Sequence, residues 1–176
     1  MDDDIPTRKV IVLGSPGVGK TSLVRRLVHR VFEADYLTTM GVDIYPHVVD
    51  LAPPANTTTP RLRLTIWDSQ GDLGHRIFKH PYFSGSVAVV ICGQITKRRT
   101  IDEMVALAHA AEVAAAGKPL ACVLTKLDLL EGGAEPDLPA ALTEGRWPVY
   151  RTSALADLNV AGTFAAIAGT IVRRGL

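Results

Sequence analysis

The chain has 176 residues, 47% of them hydrophobic, which suits one domain with a sizeable core and excludes a disordered polymer. Nineteen basic against eighteen acidic residues leave a formal net charge of +1, so nothing in the balance asks for nucleic acid or an anionic membrane. No apolar run has membrane-spanning length, Met1-Asp2-Asp3-Asp4 is neither a basic signal start nor a myristoylation site, and no cysteine follows Cys122, so no direct membrane anchor is expected in this chain.

Lys9-Val10-Ile11-Val12-Leu13 reads as a short buried strand, and Leu23, Val24, Leu27, Val28 and Val31 recur at helical spacing. Between them Gly14 to Thr21, GSPGVGKT, fits a glycine, four free positions and then Gly-Lys-Thr, the pattern that cradles a nucleotide's phosphates. Gly14, Gly17 and Gly19 let the backbone approach an anion. The stretch Ser15, Pro16, Gly17, Val18, Gly19, Lys20, Thr21 and Ser22 then turns its NH groups and the helix N-terminus toward it, Pro16 excepted. Lys20 is expected to reach the β and γ phosphates, and the Thr21 hydroxyl to hold Mg²⁺.

Phe32 to Asp43 breaks the helical period and reads as a loop, followed by a strand from Val42 to Leu51. Ala52 to Pro60 carries three prolines and reads as a hairpin tip, after which Arg61 to Trp67 alternates with Leu62, Leu64 and Ile66 on one face. Asp68-Ser69-Gln70-Gly71 closes that strand and leads into a mobile loop, Asp72 to Arg76. Ser86 to Cys92 is uninterruptedly apolar, as in a strand buried on both faces of a parallel sheet. Thr100 and Glu103 form a capping box for a helix that Gly117-Lys118-Pro119 stops. Leu120 to Leu124 is a further strand, Pro139 to Thr143 a short helix and Val149 to Arg151 a last strand. Val160, Phe164, Ile167 and Ile171 mark a closing helix. Cys92 and Cys122, both in apolar runs, read as core thiols of a reducing compartment. The alternation of strand and helix predicts an α/β fold with a mostly parallel sheet and its ligand at the strands' carboxyl ends. Residues 1–176 are expected to form one domain.

Four motifs fall at those ends: Gly14 to Thr21, Asp68 to Gly71, Thr125 to Asp128 and Ser153-Ala154. Together they resemble the Ras-like small GTPases over nearly the whole chain. Thr38 to Asp43, TTMGVD, looks like the Rab effector loop, and TKLDLL from Thr125 looks like the Rho form of the guanine motif. The resemblance implies a P-loop G domain, with helices on both faces of a six-stranded sheet, that binds GTP or GDP with Mg²⁺. Asp128, an acceptor-only carboxylate, suits the adjacent N1 and N2 donors of guanine and opposes adenine. By resemblance, Thr125 and Lys126 belong to the same base site, with the lysine stem along the ring. Ser153, Ala154 and Leu155 form its other wall, where the Ala154 NH serves guanine O6, and Phe32 covers the ring. Thr39 and Asp68 join Thr21 around the metal, Asp68 through water, and the Gly71 NH bonds the γ phosphate. Ile44, Trp67 and Tyr82 match an apolar patch beside the switches, although ordinary strand packing explains Ile44 and Trp67 equally well.

Four positions depart from the family pattern. Thr125 replaces Asn, as in Rho relatives, and Leu155 replaces Lys. Pro16 stands where Ras proteins have glycine; it lacks an NH and crowds the γ-phosphate side. Asp72 occupies the place of the water-orienting Gln, but it is shorter, only accepts, and adds negative charge beside a polyphosphate. The candidate catalytic residues are therefore Asp72, Gln70 and Lys20, with slow hydrolysis expected. Gln70 and His75 as substitutes, and Lys97-Arg98-Arg99 as a binding patch, read better as solvated loop and turn. The scattered histidines lack metal-ligand spacing. The expectation is a cytoplasmic guanine-nucleotide switch that signals through two loops, with an effector, an exchange factor and a GTPase-activating protein as partners. The alternative is a non-hydrolysing GTP-binding scaffold.

Overall fold

The computed structural model describes residues 5–33, 41–51, 61–69, 71–130 and 132–176, and of Asp72 the backbone alone. Its strands are β1 (Thr7–Gly14), β2 (Val42–Asp50), β3 (Arg61–Ser69), β4 (Ala88–Gln94), β5 (Leu120–Thr125) and β6 (Val149–Arg151). The helices are α1 (Lys20–His29), α2 (Arg98–Ala114), α3 (Ala140–Thr143) and α4 (Val160–Arg173). They build an α/β fold around one six-stranded sheet of order β2-β3-β1-β4-β5-β6, parallel throughout except for the antiparallel pair β2–β3.

The uninterrupted apolar runs are explained by two cores, one on each face of the sheet, because successive side chains of a strand point to opposite sides. Val10, Val12, Leu64, Ile66, Val90 and Val123 meet Leu23 and Leu27 of α1 and Phe164 and Ile171 of α4. Ile11, Leu13, Ile91 and Leu124 point the other way, onto Ile101, Met104 and Ala108 of α2. Cys92 belongs to the first core and Cys122 to the second, so the two thiols are buried, free and on opposite faces. Burial pushes both up to about 12.

Four local expectations give way to tertiary structure. First, α1 ends at His29, where Arg30 turns left-handed (φ 59), so Val31 lies beyond the helix and 43% exposed. Second, the capping box does not form. α2 begins at Arg98 with Lys97 as its cap. The Thr100 hydroxyl donates to Lys97 O at 2.8 Å and accepts from Gln94 N at 2.9 Å, while Glu103 turns to Ser15 and Arg99. Third, Arg98 and Arg99 are therefore not a turn but the first helical residues, each 2.8 Å from a carboxylate four positions on, Asp102 and Glu103. Fourth, the stretch after β3 is a run of 3₁₀ turns, Gly71–Lys79, kinked at Gly74 and anchored by buried Ile77. The hairpin tip 52–60 lies outside the described residues.

Candidate functional site

β1 runs into the glycine loop and the loop into α1 without a break, as the motif requires. Gly14 is pressed against the backbone carbonyl of Cys92 in neighbouring β4, where any Cβ would overlap it. Gly19 (φ 97) caps α1 in a left-handed conformation. The Lys20 ammonium folds back into this loop, 2.9 Å from Gly14 O and 3.0 Å from Ser15 O, and the residue is 5% exposed. The loop thus wraps a buried cation.

Thr21 begins the next contact. Its hydroxyl lies 2.5 Å from Asp68 Oδ2 at the end of β3, and Asp68 Oδ1 is buried without a hydrogen-bond partner among the described residues. Burial pushes the Asp68 carboxyl up to about 6, against the opposing effects of the Thr21 bond and the Lys20 charge. An unpaired buried carboxylate oxygen beside a threonine hydroxyl is a hard, all-oxygen donor set that suits Mg²⁺, which takes few protein ligands and completes its shell from phosphate and water. Thr39, expected in the same shell, lies outside the described residues, as does Gln70.

Beyond β3 the chain passes directly over the loop. A Cβ on Gly71 would sit 2.5 Å from Pro16 N, so only glycine permits this approach. The Gly71 backbone therefore meets the loop on its proline side. Asp72 follows in the 3₁₀ run. His75 is turned away: its Nε2 lies 3.3 Å from Ala106 O and its ring packs on Phe78.

The second group of residues sits at the ends of β5 and β6. The Thr125 hydroxyl is 2.5 Å from Val18 O and 3.2 Å from Gly93 O, so this residue ties the glycine loop to β4 and β5. Lys126, left-handed at φ 58, donates to Gly17 O at 2.8 Å, and burial holds its ammonium below the usual lysine range. Ser153 donates to Asp128 Oδ1 and accepts from Ala156 N at 3.0 Å, which orients the carboxylate and turns the loop in one step. A two-way backbone bridge between Ser153 and Leu158 closes that loop. Leu155 is 54% exposed within it, and Phe32 stands exposed after α1. Loop motif, Asp68, Gly71, Thr125, Lys126, Asp128 and Ser153 thus share one edge of the sheet.

Two further residues belong to this edge and carry no motif signal for it. Arg26 of α1 donates to Ala154 O at 2.6 Å, Leu155 O at 3.3 Å and Arg30 O at 2.9 Å, tying the helix to a loop 128 residues away in sequence. Glu103 of α2 accepts from Ser15 Oγ and from Arg99 Nε, and these bonds hold its carboxyl below the usual carboxylate range. Ile44, Trp67 and Tyr82, expected in an apolar patch, are neighbours in the structure. Ile44 pairs with Trp67 across β2–β3 and is 52% exposed, so it is not a core residue, and the Trp67 and Tyr82 rings are 6.1 Å apart. Among the described residues, no group of His, Cys, Asp or Glu forms a metal-binding cluster, and no helix is long and apolar enough to cross a membrane.

A family model described as the Ras family matches residues 9–173. The chain is 30% identical to the Ras-related protein Rab-7b of Bos taurus over 94% of its own length and 82% of that protein. It is 28% identical to human Rab-7b over 94% and 83%, and 34% identical to Rab-18-B of Danio rerio over 59% and 48%. A Gly-Lys-Thr loop wrapped on its lysine, the Thr21–Asp68 contact and the Asp128–Ser153 pair thus lie in a chain that belongs to the Ras family, as a GTP-binding small GTPase similar to the Rab proteins.

Proposed function

We propose that this chain is a Mg²⁺-dependent guanine-nucleotide switch whose site is the edge described above. The observation that carries this reading is the buried Asp68 carboxylate, bonded to the Thr21 hydroxyl through one oxygen and without a hydrogen-bond partner among the described residues on the other, beside the cation of Lys20. In this reading Lys20 exchanges its two loop carbonyls for β- and γ-phosphate oxygens, and Thr21 and Asp68 hold the metal, with Thr39 added when the γ phosphate is present. The metal, when bound, neutralises phosphate charge. Backbone NH groups from Ser15 to Ser22, Pro16 excepted, orient the phosphates. Asp128 accepts from the two guanine donors while Ser153 keeps its carboxylate aimed, the Ala154 NH serves O6, and Phe32 and the Lys126 stem cover the ring. Gly71 and Thr39 sense the γ phosphate, so that its loss frees both switch loops and changes the surface offered to effector, exchange factor and activating protein. Hydrolysis is slow, because Asp72 cannot donate to a phosphoryl oxygen and Pro16 supplies no NH. The protein acts in the cytoplasm.

The test is thermal unfolding with GDP or ADP, each with and without Mg²⁺. GDP with Mg²⁺ raises the midpoint, ADP does not, and Lys20→Ala removes the response. An equal response to both nucleotides would defeat the guanine assignment. The packing of Gly71 on Pro16 favours a second reading, a nucleotide-bound scaffold that does not hydrolyse GTP. Single-turnover GTP cleavage, present or absent, separates the two.

A further inference from the structure

At the amino ends of β4 and β5, opposite the edge that carries the motifs, lies a cavity of about 330 Å³. Its wall is buried Trp147, with Val89, Ala115 and Leu120 as the apolar floor, and it opens between the last turn of α2 and the end of α4. A space of this size admits a small organic ligand.

The charges around it are unevenly matched. Glu112, the one acid in the lining, accepts from Arg146 Nη2 at 2.6 Å and from Trp147 Nε1 at 2.8 Å, and so its charge is already engaged. Two other cations line the same space without a carboxylate partner among the described residues. The Lys118 ammonium has a ring contact, 5.9 Å from the centre of Phe83. Arg174 donates to the neutral carbonyl Gly117 O at 3.2 Å. Two cations without a carboxylate partner among the described residues, one with a planar fork, thus line a cavity with an indole wall. That combination matches a dianion bearing a compact apolar body.

We propose that this cavity binds a small phosphate monoester, its phosphate between Lys118 and Arg174 and its apolar body against Trp147. The site is independent of the nucleotide site: β5 alone, six residues long, separates their levels by roughly 17–20 Å.

The experiment is an NMR titration of the ¹⁵N-labelled full chain with phenyl phosphate, in the presence of saturating GDP and Mg²⁺ so that the glycine loop is not a competing phosphate site. The Trp147 indole NH and the Gly117 and Lys118 amides should shift saturably while Gly17 and Gly19 stay still. Lys118→Met and Arg174→Met should each weaken the affinity roughly tenfold, the loss expected of one charge-assisted contact. Glu112→Gln, which keeps an acceptor for Trp147 but releases the Arg146 charge, should tighten it. Shifts that do not saturate, that appear at Gly17 and Gly19 instead, or that are indifferent to both cation variants would overturn the proposal. Vesicles containing phosphatidic acid present the same monoester on a surface. Sedimentation with them that is lost in Lys118→Met identifies a lipid headgroup as the source, and phenyl phosphate binding without sedimentation identifies a soluble one.

Discussion

Asp68 offers the sharpest test of how this site is built, because its carboxylate is buried at a cost to folding. Replacing it by Asn keeps an acceptor for the Thr21 hydroxyl and removes the buried charge. In the metal-free protein the rise of the Asp68 pKa from 3.8 to about 6 corresponds to about 3 kcal/mol of destabilisation of the ionised form. The sign follows from the folded state holding its proton more tightly than the unfolded state. The stability linked to that proton is fully present below pH 3.8 and is lost as the pH rises through about 6. Asp68→Asn has no such loss. Urea unfolding in EDTA without nucleotide should therefore show the variant gaining on the native chain between pH 4 and 7. About half of that gain is reached by pH 5, and about 3 kcal/mol of it by pH 8. With GDP and Mg²⁺ at pH 8 the order reverses, since the native chain gains binding energy at a carboxylate that the variant lacks. A difference between the two proteins that does not change with pH in EDTA would refute the argument, because the carboxylate would then bear no burial penalty for a cation to relieve.

Three further outcomes are expected. Asp128→Asn should weaken GDP and favour xanthine nucleotides, whose C2 carbonyl wants a donor, and competition titrations will show whether the preference moves. Arg26→Met, which removes the bonds to Ala154 O and Leu155 O, should speed release of a fluorescent GDP analogue by roughly tenfold while leaving the guanine-over-adenine ratio in place. An unchanged release rate would mean that the loop holds its shape through the Ser153–Leu158 bridge alone. Asp72→Gln should raise single-turnover GTP cleavage with little change in GTP affinity. If the native chain cleaves as fast as that variant, another residue positions the water.

The residues that form continuous stretches were legible without coordinates. Glycine spacing predicts the loop between β1 and α1, and the places of Lys20 and Thr21 follow from it. Period-two and helical periodicity predict the six strands and the α1, α2 and α4 cores, because a face that must be buried imposes its repeat on the chain. The antiparallel pairing of β2 with β3 follows as well, since a proline-rich segment between two alternating runs suits a hairpin.

What local pattern could not supply is any contact whose partner is far away. Thr100 and Glu103 have the spacing of a capping box, yet Ser15 and Arg99 offer Glu103 charge-assisted bonds that outweigh a cap, and the helix begins earlier. Arg26 looks like any solvated arginine on an amphipathic helix until the fold brings the Ala154 and Leu155 carbonyls within its reach. The same holds for the cavity beside Trp147, whose lining comes from four separate segments. Residue type at fixed short spacing was enough to nominate the side chains for phosphate, metal and base chemistry, because such roles are written in local motifs. The fold alone shows which of them are clamped, which oxygen of the buried Asp68 carboxylate lacks a hydrogen bond and which two cations have no carboxylate beside them among the described residues, because hydrogen bonding and burial depend on distance in space.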